Sequence, residues 1–272
     1  MKCDYDYLKS RALWLRKETL KLHSLAPETR IASSLSPIEI LTALYYGKIL
    51  KVDSANINNE NRDRFISSKG HGSIAMYPLL ADLGFFDKTE LQKVCQPNAL
   101  LGGIPDCNIP GFETTNGSLG LGLGTGCGIA LALKKKKNDG FVFVLSGDGE
   151  LFEGSVWEAI MFAGHNKINN LILIIDNNKI SMLDYCKNII DLEPLEEKFK
   201  NFKWYVKRID GHNIKEVYDT LIDLKTSDIS MPKVLIADTV KGKGVPILET
   251  DSLCHIKSLT KEQVDNLLAE LN

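Results

Sequence analysis

Apolar residues in this chain come in short unbroken runs, set apart by helix-length stretches of mixed polarity. Phe141-Val142-Phe143-Val144-Leu145 and Leu171-Ile172-Leu173-Ile174-Ile175 are the clearest of them. Two β-rich runs flanking a helix-length segment predict a β-α-β unit with parallel strands. Further strands are expected near 203–209 and 233–238, and over Arg64-Phe65-Ile66-Ser67, which leads into His71. Helices are expected over Tyr5 to Leu25, Ser36 to Lys51 and Thr260 to Leu271. In the second, Ser36 would be the N-cap, Pro37 the first helical residue and Glu39 the reciprocal member of a capping box. Gly117 to Lys137 is glycine-rich and then basic. Lys134 to Lys137 suit a helix C-terminus, where cations meet the carbonyl end of the dipole, and Asn138-Asp139-Gly140 supplies the stop. The predicted class is α/β, a mostly parallel sheet flanked by helices on both faces. No internal repeats occur, and nothing between Asp139 and Pro232 reads as a linker. Residues 1–272 are therefore expected to form one domain, with an N-terminal helical segment over about 1–60.

Composition mainly excludes. A net charge of −2 with 44% hydrophobic residues describes a soluble globular chain, with no pull toward nucleic acid or an anionic membrane. The six cysteines, Cys3, Cys95, Cys107, Cys127, Cys186 and Cys254, are scattered without a CxxC pair. That pattern disfavours a secreted disulfide scaffold or a zinc site and fits the cytoplasm. The N-terminus, Met1-Lys2-Cys3-Asp4-Tyr5-Asp6, has no apolar signal core, and no apolar stretch is long enough to span a bilayer.

The ends of the two clearest runs carry the candidate chemistry. Gly147-Asp148-Gly149-Glu150 follows the first and Asn177-Asn178-Lys179-Ile180 the second, with Asn178 thirty positions after Asp148. Parallel sheets bind ligands outside the carboxyl ends of their strands, which would bring Asp148 and Asn178 side by side. One carboxylate and one amide oxygen form a sparse hard-oxygen site suited to Mg²⁺, which keeps its remaining positions for phosphate oxygens and water. Taken singly, Asp148 and Asn178 also read as ordinary turn residues. The ladder Gly120, Gly122, Gly124, Gly126, Gly128 fits no G-x-G-x-x-G frame. On a helix, Gly120, Gly124 and Gly128 would share one face, open to close helix packing or to a cofactor.

The words around these residues resemble the transketolase family. Phe152-Glu153-Gly154-Ser155-Val156-Trp157-Glu158-Ala159, Ala163-Gly164-His165 and Asn169-Asn170-Leu171 match it closely. Ser68-Lys69-Gly70-His71-Gly72, Glu113 to Gly120, Asp210-Gly211-His212, Thr239-Val240-Lys241-Gly242-Lys243-Gly244 and His255 follow in family order. The resemblance implies the thiamine-diphosphate-binding fold and that cofactor, with Mg²⁺ (or Ca²⁺ or Mn²⁺) held by Asp148, Asn178 and the Ile180 carbonyl. It implies cofactor contacts at His71, Gly117, Ser118, Leu119, Gly149, Glu150, Asn178 and His255. It also implies catalytic parts for Glu153, His255 and Arg30, Glu153 relaying to an activating glutamate on the pyrimidine-binding domain. Glu153 reads equally as a helix-start carboxylate favoured by the dipole, and His71 and His255 as loop histidines. His23, His165 and His212 read as structural.

Departures from the family bear on substrate. Arg30 stands where transketolases usually carry a histidine, Gly102-Gly103-Ile104-Pro105 replaces a Gly-His-Pro, and Leu121 replaces a Gln or His. Arg30 has a fork suited to carboxylate or phosphate. No segment resembles the pyrimidine-binding domain. The resemblance therefore implies the N-terminal subunit of a split, two-chain transketolase, most plausibly α₂β₂, moving a two-carbon ketol or related acyl-anion unit between sugars or sugar phosphates. Alternatives are a deoxyxylulose-phosphate-synthase-like or other 2-oxo-acid-using subunit, and a cofactor-binding regulatory subunit without catalysis.

Overall fold

The apolar runs pair side by side into one sheet of five strands, all parallel, in a computed structural model that describes residues 3–271. Met1 and Lys2, at the head of the polar N-terminus, and Asn272 lie outside the described residues. The strands are β1 Arg64–Ser67, β2 Val142–Gly147, β3 Leu171–Asn177, β4 Tyr205–Asp210 and β5 Lys233–Asp238, in the order β1-β2-β3-β5-β4. Helices α1 Tyr5–Leu25, α2 Ile31–Leu35, α3 Ile38–Tyr45 and α4 Met76–Asp82 precede or follow β1, and α5 Gly122–Lys135 leads into β2. Then come α6 Gly154–His165, α7 Cys186–Ile189, α8 Leu195–Asn201, α9 Ile214–Thr226, α10 Pro246–Glu249 and α11 Lys261–Glu270.

The central strands are apolar throughout because both faces are covered. Phe143, Leu145, Ile172, Ile174 and Leu235 enter one core with α1, α3, α4 and α9. Val142, Val144, Leu171, Leu173, Ile175 and Ile236 enter a second core under α5, α6 and α8. A third cluster joins α2 to the C-terminal segment through Ile31, Leu35, Val245, Leu248 and Val264. β5 lies between β3 and β4, so the chain crosses over its position to reach the edge strand β4 before returning. Among the described residues no helix is long and apolar enough to cross a membrane.

Two local expectations are corrected. Ser36 does not cap a helix and Glu39 closes no capping box, because both side chains have partners elsewhere. The Ser36 hydroxyl donates to Asp176 at 2.6 Å, and Glu39 is held by the buried Arg16 guanidinium and by His212 at 3.0 Å. The expected helix is accordingly shorter, α3 over Ile38–Tyr45, and the separate short α2 precedes it. Gly120 does not share a helical face with Gly124 and Gly128. It precedes α5 with φ +85°, in the left-handed region that favours glycine. On α5 the close approach is made by Gly122 and Gly126, where an added Cβ would lie 2.3 Å from Ser68 and 2.6 Å from Val144, whereas nothing lies within 4 Å of such an atom at Gly124 or Gly128. The C-terminal helix does carry a capping box, between Thr260 and Gln263.

Candidate cofactor site

Strand pairing brings the two sequence words together. Gly147 lies opposite Asp176 in the ladder, and the Asp148 N–H donates to the Asp176 carbonyl at 3.3 Å. A cavity of about 410 Å³ opens over these strand ends, within the roughly 300–1,000 Å³ typical of small-molecule sites. Asp148, Gly149, Glu150, Glu153, Asn178 and Ile180 line it from the segments that follow β2 and β3. Arg30, His71, Gly117, Leu119, Lys241 and His255 line it from the surrounding loops. Ser118 is exposed and does not line the cavity.

The cavity has three corners. In the first, Asp148 accepts from the backbone N–H groups of Gly149 and Lys179, and Asn178 accepts from Ile180 at 3.2 Å. Burial, and then the like charge of Asp176, push the Asp148 carboxyl up to about 6. Among the described residues no cationic side chain pairs with it, and no cluster of three His, Cys, Asp or Glu side chains could hold a metal. A buried carboxylate with no salt-bridge partner, beside an amide and a carbonyl oxygen, is a donor set that suits a hard divalent cation. Lys241 enters the same corner, donating to the carbonyls of Ile180 at 2.8 Å and Ser181 at 2.9 Å. Burial, and then Lys69, push its ammonium down to about 8.

In the second corner Ser33, on α2, hydrogen-bonds His255 at 3.3 Å, and the rings of His71 and His255 meet edge to face at 4.9 Å. Burial and neighbouring cations drive both imidazoles toward the neutral form, His71 to about 2 and His255 to about 3. Arg30 adjoins them, half-buried. In the third corner Glu150 is tied down completely, accepting from Ser68, Ser146 and the Gly120 N–H at 2.9 Å. Its carboxylate orders the turn that presents Gly117 and Leu119. Glu153, three residues on, is exposed.

Sequence reasoning missed the buried cations. Lys69 forms an ion pair with Asp176, which also accepts from Ser36 and Thr239, directly beneath the cavity. Lys69 and Lys241 both lie in glycine-containing motif words at loop positions, where burial is the only distinguishing feature. His212 is structural as expected: it accepts from the Val240 N–H at 2.8 Å and meets Glu39, so it anchors the loop carrying Lys241. His23 likewise ties α1 to Thr29 and Leu259, and His165 is exposed.

A parallel α/β domain with an oxygen-donor corner, buried ammonium groups and a glycine-lined cavity at its strand ends is a domain built for a diphosphate-bearing cofactor. Residues 31–271 match the family described as transketolase, thiamine diphosphate binding domain. The chain belongs to the transketolase family. It is 36% identical over 265 residues to the 6-deoxy-6-sulfo-D-fructose transketolase subunit SqwG of Clostridium sp. (strain MSTE9), covering 97% of this chain and 96% of that one. It is also 36% identical over 269 residues to an apulose-4-phosphate transketolase subunit from Actinobacillus succinogenes, covering 98% and 96%. The crystal structure of the Campylobacter jejuni transketolase superposes with a TM-score of 0.91 at 30% identity, covering all of this chain but 43% of that one. Human transketolase is 31% identical, and the chain spans 42% of its length.

Proposed function

We propose that this chain is the N-terminal, cofactor-binding subunit of a two-chain transketolase, which transfers a two-carbon ketol or related acyl-anion unit between sugar or sugar-phosphate substrates. The observation that carries this reading is the open third corner of the cavity. Gly117 and Glu153 are exposed there, with Ser118 and Gly154 exposed next to them in the chain, so the cleft has a floor and one wall. Exposed apolar side chains at its mouth, Met182 and Ile256, call for a cover. Two relatives similar along nearly their whole length are named as transketolase subunits, which supports a second chain as that cover.

Thiamine diphosphate, when bound, supplies the electron sink for breaking and making carbon–carbon bonds. The chain's own residues bind and orient. Asp148, Asn178 and the Ile180 carbonyl would hold Mg²⁺, for which Ca²⁺ or Mn²⁺ could stand in. Lys241 and Gly149 would face the diphosphate. His71 and His255, neutral at working pH, would donate and accept hydrogen bonds without adding charge. Gly117 and Leu119 would flank the aminopyrimidine, with Glu150 bracing them from behind. Glu153 would hold a hydrogen bond to the activating glutamate of the partner. The partner is a pyrimidine-binding chain, and α₂β₂ is the assembly proposed, in the cytoplasm. Gly124 and Gly128, with open space above them and exposed Leu121 alongside, offer the partner a close-packing helix face.

Mixing tests this. Neither chain alone should carry out carboligation, and the mixture should turn over at an enzyme-like rate, on the order of 10 per second. Robust carboligation by this chain alone, free of host transketolase, would show the two-chain reading to be wrong.

A further inference from the structure

We propose that Arg30 reads the substrate's charge: its guanidinium binds a carboxylate or another small oxyanion that the substrate carries close to its reacting carbons. The inference rests on the two-chain transketolase reading and adds to it a substrate class. Arg30 lines the cavity, half-buried, at the start of α2. The other cations of the wall are engaged. Lys69 is paired with Asp176, and Lys241 is held by the Ile180 and Ser181 carbonyls. Among the described residues the Arg30 guanidinium has neither an ion pair nor a hydrogen bond. Only its backbone carbonyl is engaged, accepting from the Ser34 hydroxyl at 3.1 Å. Among the described residues no carboxylate lies within ion-pair distance of it, and the His255 imidazole beside it is held neutral.

A partly desolvated guanidinium without a counter-charge is relieved by an anion arriving from outside, and its planar fork takes a carboxylate through two parallel hydrogen bonds. Position separates that anion from a diphosphate. Arg30 belongs to the corner of Ser33, His71 and His255, and the residue after His255 is the exposed rim residue Ile256. The metal-type oxygens and Lys241 form a different corner, with cationic help of its own.

The test uses the full chain with labelled imidazoles, read by NMR, with glycolate and ethylene glycol as matched charged and neutral probes. Glycolate should shift the His255 resonances saturably and ethylene glycol should not. Arg30→Gln should weaken the glycolate response tenfold or more, while unchanged His23 resonances report an intact fold and pyrophosphate with Mg²⁺ binds within about twofold of the wild type. An equal glycolate response in both proteins would overturn the proposal. So would loss of pyrophosphate binding with glycolate unaffected, which would assign Arg30 to the cofactor. With the second chain added, Arg30→Gln should raise the KM for glyoxylate at least tenfold relative to glycolaldehyde; equal changes would contradict it. If the wild-type pair shows no carboligation, the two-chain reading fails, and the glycolate comparison still decides the role of Arg30.

Discussion

Asp148 is charged in the folded chain only against the cost of its burial. Its carboxyl, pushed up to about 6 by burial and by Asp176, binds a proton more tightly in the folded chain than in the unfolded one. Stability contributed by that proton is lost as pH rises from roughly 4 to 6, so at pH 7 the charged group opposes folding by about 2–3 kcal/mol. Asp148→Asn should therefore raise the Tm of the metal-free chain at pH 7, and a lower Tm would contradict the picture of a buried charge that burial penalises more than its neighbours stabilise. His23 works in the opposite sense. Burial pushes its imidazole down to about 4, and in the folded chain Nε2 accepts from the Leu259 N–H while Nδ1 meets Thr29. The unfolded chain binds the proton first, so stability falls as pH drops from about 6.5 toward 4, by about 2 kcal/mol between pH 7 and pH 5. Denaturant unfolding of the wild type and His23→Gln at the two pH values checks this. The variant should be less stable at pH 7 and show a pH loss smaller by about that amount; an identical loss would clear His23 of the effect.

Among the elements, α5 shows how glycines at one spacing can do different things. Gly126 lets the helix lie against Val144 of β2, while Gly124 has open space beside it. Gly126→Ala should destabilise the chain by about 1–3 kcal/mol through overpacking, outweighing the gain in helix propensity. Gly124→Ala should stabilise the isolated chain by about 0.5–1 kcal/mol. Chemical denaturation of the pair measures both, and equal effects would mean that α5 does not pack on β2 through Gly126. The same helix marks a limit of sequence reading. The α/β class and the strands were legible because strands covered on both faces are apolar without interruption, a pattern needing no knowledge of partners. Which glycines face the sheet depends on how α5 is rotated, and only packing decides that. Ser36 fails as a cap for a related reason: its hydroxyl partner, Asp176, lies 140 residues away on β3. Asp148 and Asn178 were legible because neighbouring parallel strands end together. Lys69 and Lys241 were not, since a lysine in a loop is ordinarily solvent-exposed unless a buried partner holds it.

For the whole molecule, two packed cores make a rigid sheet, and everything chemical is gathered at its carboxyl edge. The chain spans less than half the length of human and Campylobacter jejuni transketolase, and the cavity it builds has one side open. On the proposed two-chain reading, cofactor affinity should depend on two separable contributions, contacts bridged by a metal at Asp148 and Asn178 and a wall that the second chain adds. Calorimetric titration of thiamine diphosphate measures the first most directly. With Mg²⁺ present the chain should bind the cofactor weakly but measurably, more tightly once the second chain is added. Chelation of the metal or Asp148→Asn should abolish binding to the chain alone. Equal affinity with and without Mg²⁺, or in the Asp148→Asn variant, would contradict the assignment of these strand ends as the metal and diphosphate site.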